Sequence, residues 1–424
     1  MQTQVTNLPF SIIICGSEIL IGKRADRHIH FLSRAFLPYG LECISCTVVG
    51  DQFERMTSAI QCALQEVDLL FVTGGLGPTV DDITRDCISR AMNIPLVESP
   101  AVIRMIEEYF RHRNRPMREN NRLQALVPTQ GDFIHNYNGT APGLIFDNGT
   151  KVVIALPGPP HELEPMVLQQ VIPFLRQRFR LENHRLSRQL FFCGTGESDV
   201  DMVVRPLVQD HPQIEVSLLA HLGIIELTLS IRRQLPSAAE TLSHIIDSVK
   251  NEIGEYIFSE QKQTLAQRVG ELLLQRNETV ALAESCTGGM LGAQLTRTPG
   301  SSAYFSGGVV SYSNASKINL LGVQPQTLQQ HGAVSCPCAE EMAQGALNHF
   351  HSTWALSITG IAGPDGGSAE KPVGTVWICL AHQNGQKYPF KRILPGDRES
   401  IRQRTCVYAL DQLRRVIQGL NPHE

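Results

Sequence analysis

A chain of 424 residues exceeds what one hydrophobic core ordinarily holds, and at about 150 residues per domain it points to two or three. Hydrophobic residues at 42% and charged residues at 18% exclude a disordered chain and indicate a soluble globular protein. A formal net charge of −4 gives no electrostatic reason to expect nucleic acid or an anionic membrane as main partner, although Arg111 to Arg118 offers a local basic patch for small anions.

The eleven cysteines are scattered and odd in number, and Cys15, Cys193 and Cys379 sit inside apolar runs, which suits free thiols in a reducing compartment. Cys43 and Cys46 form a lone C-x-x-C, and Cys336 and Cys338 a C-x-C, neither with a second pair at zinc-site spacing. No basic segment followed by an apolar core opens the sequence, and no apolar run approaches the roughly 18 residues needed to span a bilayer. The expectation is a cytoplasmic protein with no membrane partner.

In chain order, Phe10 to Cys15 reads as a strand and Ala25 to Leu37 as a helix ended by Pro38 and Gly40. Glu42 to Val49 (strand), Glu54 to Gln65 (helix) and Val67 to Thr73 (buried strand) continue the alternation, which predicts a parallel sheet covered on both faces. After about residue 175 the pattern changes. Gln189 to Cys193, Ile214 to Leu219 and Ile224 to Ile231 read as strands, and Ser198 to Val208 and Ala238 to Ile253 as helices. The polar stretch Ser259 to Gln263 marks a second boundary, and the amphipathic helix Thr264 to Gln275 opens another α/β domain. The predicted fold class is α/β: two three-layer α/β/α domains, 1–175 and 261–424, joined by a small α+β linking unit, 176–260.

The N-terminal domain carries a glycine turn after its third strand, Thr73-Gly74-Gly75-Leu76-Gly77-Pro78-Thr79-Val80-Asp81-Asp82. It lacks both the P-loop lysine and the dinucleotide fingerprint spacing. Asp81 and Asp82 either complement the dipole of the following helix or hold a divalent metal against a phosphate. Two further loops, Gly139 to Gly143 and Leu156 to Glu162, border apolar strands, so all three can meet at one sheet edge.

In the C-terminal domain, the short strand Thr279 to Glu284 runs into Ser285-Cys286-Thr287-Gly288-Gly289 and a helical run to Leu295. A serine there either caps the helix or acts as a nucleophile whose oxyanion is held by the free N–H groups of the first helical turn. His331, His349, His351 and His382 have no recognisable partner acid, so Lys317 is the better base. It falls in the first turn of a helix that Asn314 can cap, where the helix end and burial both lower its pKa. Its plain alternative is a solvated surface lysine. The loop Thr359 to Gly367 suits a backbone cradle for a phosphate or the reacting carbonyl, or is a simple turn. Arg398 and Arg402, four apart, share a helix face, where they either clamp a phosphate or are solvated.

Together, Ala283 to Gly289, Gly307 to Asn314, Lys317, Gly332 to Ser335, Thr359 to Pro364 and Gly396 to Arg398 resemble the nicotinamide-nucleotide amidases, the CinA C-terminal family, over about 262 to 420. The resemblance implies hydrolysis of nicotinamide mononucleotide (NMN) to nicotinic acid mononucleotide and ammonia in pyridine-nucleotide salvage, without a metal. It implies a serine–lysine mechanism through Ser285 and Lys317, with Tyr312 lining the site. Substrate contacts are then expected from Cys286, Thr287, Gly288 and Gly289, from Thr359, Gly360, Ala362 and Gly363, and from Arg398 and Arg402. A homodimer is also implied.

The N-terminal loops, with Asn121, Gln124, Ala125 and Asn136, resemble the molybdopterin-binding-like domain of the CinA proteins over about 10 to 175. That resemblance implies hydrolysis of ADP-ribose to AMP and ribose 5-phosphate with Mg²⁺, Mn²⁺ or Co²⁺. The implied site comprises Gly74, Gly75, Gly77, Thr79, Asp81, Asp82, Thr140, Gly158 and Glu162, with Asp81 and Asp82 as metal ligands. Two positions depart from the family pattern. Its Gly-Asp-Glu reads Gly16-Ser17-Glu18, and its asparagine at the next helix start is His28. The alternative is therefore a domain that binds a nucleotide or pterin without turnover. Direct DNA binding, which the family name suggests, is opposed by the acidic balance and the lack of a basic aromatic stripe.

Overall fold

The run Leu8–Cys15 becomes an interior strand because both its faces are apolar: Phe10, Ile12 and Ile14 enter one core, and Ile13 and Cys15 the other. The computed structural model describes residues 8–182, 185–233 and 235–422, which pack as two compact units, Met1–Leu186 and Ser187–Glu424.

The first unit contains β1 (Leu8–Cys15), β2 (Leu41–Val49), β3 (Leu69–Thr73), β4 (Leu96–Glu98), β5 (Leu126–Pro128), β6 (Gly131–Ile134), β7 (Gly143–Asp147) and β8 (Val152–Leu156). Its main sheet has the order β2-β1-β3-β8-β7-β6, with β4 and β5 paired separately. One face is covered by the helices His28–Phe36, Pro160–Met166 and Ile172–Phe179, the other by Phe53–Glu66 and Thr84–Met92. Phe36 stacks on Phe71 with ring centroids 4.8 Å apart, and Phe10 meets both edge-on. The sheet is mixed rather than wholly parallel: β2, β1, β3 and β8 run parallel, β7 runs against β8, and β6 pairs antiparallel with β7. The reason is loop length. Asn148 to Lys151 alone join β7 to β8, which is too short for a crossover helix.

The second unit opens with β9 (Arg185–Cys193), β10 (Glu215–His221), β11 (Ile224–Arg232) and β12 (Ile257–Ser259), in the order β10-β11-β9-β12. The helices Glu197–Val208 and Ala238–Ile253 belong to it. The chain continues through β13 (Val280–Glu284), β14 (Phe305–Val310), β15 (Trp354–Gly360), β16 (Thr375–His382) and β17 (Lys387–Ile393), ordered β14-β13-β15-β16-β17. Val280 and Leu282 face the helices Leu265–Arg276 and Arg398–Gln418, and Ala281 and Ala283 face Cys336–Phe350. The strands β14, β13 and β15 are parallel, β16 runs against β15, and β17 pairs antiparallel with β16.

The expected α+β unit 176–260 packs against the C-terminal domain rather than standing apart from it. Phe191, Cys193 and Phe258 share one core with Leu265, Val269, Leu413 and Ile417. On the last helix the buried Arg414 pairs with Asp411 at 2.7 Å, the buried Arg415 pairs with the Glu255 carboxylate, and both arginines donate to the Glu255 carbonyl. Buried guanidinium groups tolerate such positions only when paired and hydrogen-bonded. Among the described residues no helix is long and apolar enough to cross a membrane.

Candidate functional sites

The buried strand β13 delivers Ser285 to the carboxyl edge of the sheet, where its N–H donates to the Ile358 carbonyl at 3.0 Å. Lys317 lies in the first turn of the helix Asn314–Leu321, whose cap is Ser313 rather than Asn314; the Ser313 hydroxyl accepts from Ser316 N at 3.1 Å. This geometry brings Lys317 Nζ to 3.0 Å from Ser285 Oγ and 2.7 Å from the Ser311 carbonyl. Lys317 is 1% exposed, and among the described residues no carboxylate lies within ion-pair distance of it. Burial holds its amine below the ordinary lysine range. A neutral amine that donates to Ser311 keeps its lone pair for the serine proton. The surface-lysine alternative is thereby set aside.

Ser285 is not the helix cap. The helix Met290–Thr296 starts at Gly289 without a cap from Ser285, and the buried Glu284 carboxylate accepts from the N–H groups of Gly289, Leu291 and Gly292 at 3.0, 3.2 and 2.8 Å. A carboxylate at a helix N-terminus is favourable, and it fills the donors expected to hold an oxyanion. In the turn itself, Ser285, Gly288 and Met290 N–H also have carbonyl acceptors, whereas among the described residues those of Cys286 and Thr287 donate to no backbone carbonyl.

The pocket above Ser285 has a volume of about 210 Å³. Of the expected residues, Ser285, Cys286, Tyr312, Lys317, Thr359, Gly360, Ala362 and Arg398 line it; Thr287, Gly288, Gly289, Gly363 and Arg402 do not. Arg402 lies outside the pocket wall. Its Nε and Nη2 donate to the carbonyls of Cys286 and Thr287 at 3.2 and 2.8 Å, and Nη1 meets Glu399 at 2.9 Å. Arg398 is likewise bonded, to the Gly363 carbonyl and the Tyr312 hydroxyl. Gly360 has a packing role, since a Cβ there would lie 2.2 Å from Val376 Cγ1. Asn314, Ala333 and Val334 also line the pocket and were not expected as site residues. The run Gly332 to Ser335 was the available signal for the latter two.

In the first unit, the three glycine loops do meet. They line a cleft of about 820 Å³ at the carboxyl ends of the parallel strands, with Gly74, Gly75, Gly77, Asp81, Asp82, Thr140, Gly158 and Glu162 in its walls. Thr79 is not in the wall; its N–H and hydroxyl donate to Asp82 Oδ2 at 2.8 and 2.5 Å. Gly74 (φ +92°) is required for packing, because a Cβ would stand 2.5 Å from the Cys15 carbonyl oxygen. Glu162 accepts from Asn136 Nδ2 at 2.7 Å. Beside Ser17 stands Asp51: it accepts from Ser17 N–H at 3.2 Å and Cys15 Sγ at 3.3 Å, and its own N–H donates to Ser17 Oγ at 3.3 Å. Partial burial opposes its ionisation, but the hydrogen bonds from Ser17 and Cys15 prevail and hold its carboxyl below the usual range. His28 bridges two loops, with Nδ1 2.9 Å from Thr73 Oγ1 and Nε2 2.7 Å from the Gly158 carbonyl.

The two carboxylates expected to hold a metal, Asp81 and Asp82, both line the cleft, and Asp82 accepts from Thr79; among the described residues no group of three or more His, Cys, Asp or Glu side chains forms a complete protein cage for an ion.

Three family descriptions match this chain: "CinA C-terminal domain" over residues 262–417, "Probable molybdopterin binding domain" over 11–177, and "Damage-inducible protein CinA KH domain" over 187–259. A competence-damage inducible protein of Halothermothrix orenii is 39% identical over 407 residues, covering 96% of this chain and 98% of that one. A CinA-like protein of Syntrophomonas wolfei is 40% identical over 411 residues with the same coverage. Among solved structures, a competence/damage inducible protein from Agrobacterium tumefaciens is 41% identical, covers 36% of this chain and 93% of that chain, and has a TM-score of 0.35.

Proposed function

The chain belongs to the CinA family of competence-damage inducible proteins, and on that footing we propose that its C-terminal domain hydrolyses the carboxamide of NMN to nicotinic acid mononucleotide and ammonia. The observation that carries the reading is the buried Lys317 amine 3.0 Å from Ser285 Oγ, with no carboxylate among the described residues in ion-pair reach to hold it protonated. Ser285 Oγ attacks the amide carbon as its proton passes to Lys317 Nζ. Lys317 returns that proton to the departing nitrogen, the C–N bond breaks, and ammonia leaves an ester on Ser285. Water then attacks the ester carbon and gives a proton to Lys317, which passes it to Ser285 Oγ as the ester bond breaks. Of the turn's amides we assign the oxyanion to Cys286 N–H, which among the described residues donates to no backbone carbonyl and whose residue lines the pocket.

The test is ammonia release from NMN by the purified full chain, and its loss in Ser285→Ala. A wild type that makes no nicotinic acid mononucleotide would retire this reading.

For the N-terminal cleft we favour binding over turnover, with ADP-ribose as the nucleotide to try first and a pterin as the alternative. The engaged Asp82 and the serine at position 17 support that preference. Calorimetric titration with ADP-ribose, alongside an assay for AMP, separates binding from hydrolysis. Small nucleotides are thus the proposed ligands of both units, in a cytoplasmic, homodimeric protein.

A further inference from the structure

The turn Ser285 to Gly289 is gripped from two directions. From within, Glu284 accepts from the Gly289, Leu291 and Gly292 amides. From the last helix, Arg402 Nε and Nη2 hold the Cys286 and Thr287 carbonyls. A trans peptide is planar, with its C=O and N–H pointing opposite ways. Fixing the Cys286 carbonyl on Arg402 therefore turns the Thr287 N–H away from Arg402. Fixing the Thr287 carbonyl likewise turns the Gly288 N–H back, where it donates to the Ser285 carbonyl at 3.0 Å. The guanidinium fork suits this task, since two parallel donors restrain two peptide planes at once. Arg402 does not line the pocket, so its contacts are with the machinery rather than with its contents.

We propose that Arg402 and Glu284 are positioning residues that clamp the nucleophile turn, fixing its peptide planes and keeping Ser285 Oγ on Lys317. The proposal rests on Ser285 acting as the nucleophile, whatever amide it attacks.

The experiment compares full-length wild type with Arg402→Gln, Arg402→Lys, Glu284→Gln and Glu284→Ala. Three quantities are read: kcat and KM on NMN, the rate at which a fluorophosphonate labels Ser285 by intact mass, and the melting temperature. In Arg402→Gln, kcat and the labelling rate should both fall about 100-fold, the scale of a small misplacement of reacting groups. KM should stay within about threefold, because no ground-state contact is lost. Arg402→Lys should recover part of the rate, as one amine can restrain one carbonyl, and Glu284→Gln should fall less than Glu284→Ala. A KM rise of about tenfold or more at unchanged kcat would make Arg402 a substrate contact and overturn the proposal. Unchanged labelling with a lowered melting temperature would reduce both residues to scaffolding. If wild type leaves NMN intact while labelling of Ser285 still depends on Arg402, the substrate reading fails and the positioning role stands.

Discussion

Arg398 Nη2 donates to the Tyr312 hydroxyl across 2.8 Å while its Nη1 holds the Gly363 carbonyl at 2.7 Å, so one side chain ties Tyr312, in one wall of the Ser285 pocket, to the end of the loop whose residues Thr359, Gly360 and Ala362 form another. Tyr312 is 61% exposed and carries little packing. Tyr312→Phe should therefore leave the melting temperature within about 1 °C, since exposed sites rarely matter to stability. The same change should lower kcat/KM on NMN about tenfold by freeing one wall. Arg398→Ala, which frees both walls, should cost at least as much. A steady-state comparison of the two variants checks the order.

Burial lowers the Lys317 pKa, and the general-base role needs its neutral form. Activity should thus rise with pH, with unit slope in log kcat/KM, and level off below the ordinary lysine value of about 10.4. The sign for stability is the same. Between the depressed folded pKa and the unfolded one, the unfolded chain binds more protons, so folding stability increases with pH across that window. Lys317→Met should remove both the pH-dependent limb and at least about 1,000-fold in kcat. A pH–rate profile of both proteins checks this.

Much of the fold was legible because its strands carry apolar residues on both faces, as Phe10 to Cys15 does. The Ser285–Lys317 pair was legible from local context: a strand, a glycine turn and a lysine at a helix start. What escaped was contact between distant residues. Four-residue spacing puts Arg398 and Arg402 on one face of a helix, but it says nothing of the Cys286 and Thr287 carbonyls that Arg402 meets. Glu284, a carboxylate ending an apolar strand, folds back on the next helix, which displaced the expected serine cap. The polar stretch at 259–263 marks a boundary along the chain, but it says nothing of Phe191, Cys193 and Phe258, which reach across it to the last helix.

That shared core makes the middle and C-terminal parts of the second unit depend on each other. Arg414 pairs with the buried Asp411 and reaches the Glu255 carbonyl at 3.0 Å. Arg414→Ala leaves a buried carboxylate without this partner, and breaking such a pair costs about 3–5 kcal/mol. Urea unfolding followed separately by hydrogen exchange of the backbone amides in β9 and β11 and by NMN turnover should show both midpoints moving down together. A midpoint that moves for only one probe would mean the two parts unfold independently.

Asp51 already stands beside position 17, its Oδ2 3.2 Å from the Ser17 N–H. An aspartate there would put a second carboxylate beside Asp51, which lines the N-terminal cleft, where the described residues hold no group of three or more metal-ligating side chains. The pair would repel in the absence of a cation, so Ser17→Asp should melt lower without added metal and recover with Mg²⁺, Mn²⁺ or Co²⁺, the signature of an ion bound to the folded state. Wild type should show neither the deficit nor the recovery. Metal-dependent release of AMP from ADP-ribose should appear in Ser17→Asp and stay at background in wild type. If metal stabilises the variant but no AMP forms, a carboxylate at position 17 is sufficient for the ion and insufficient for hydrolysis. The remaining departure from the family pattern, His28 with its bonds to Thr73 and Gly158, then becomes the position to change next.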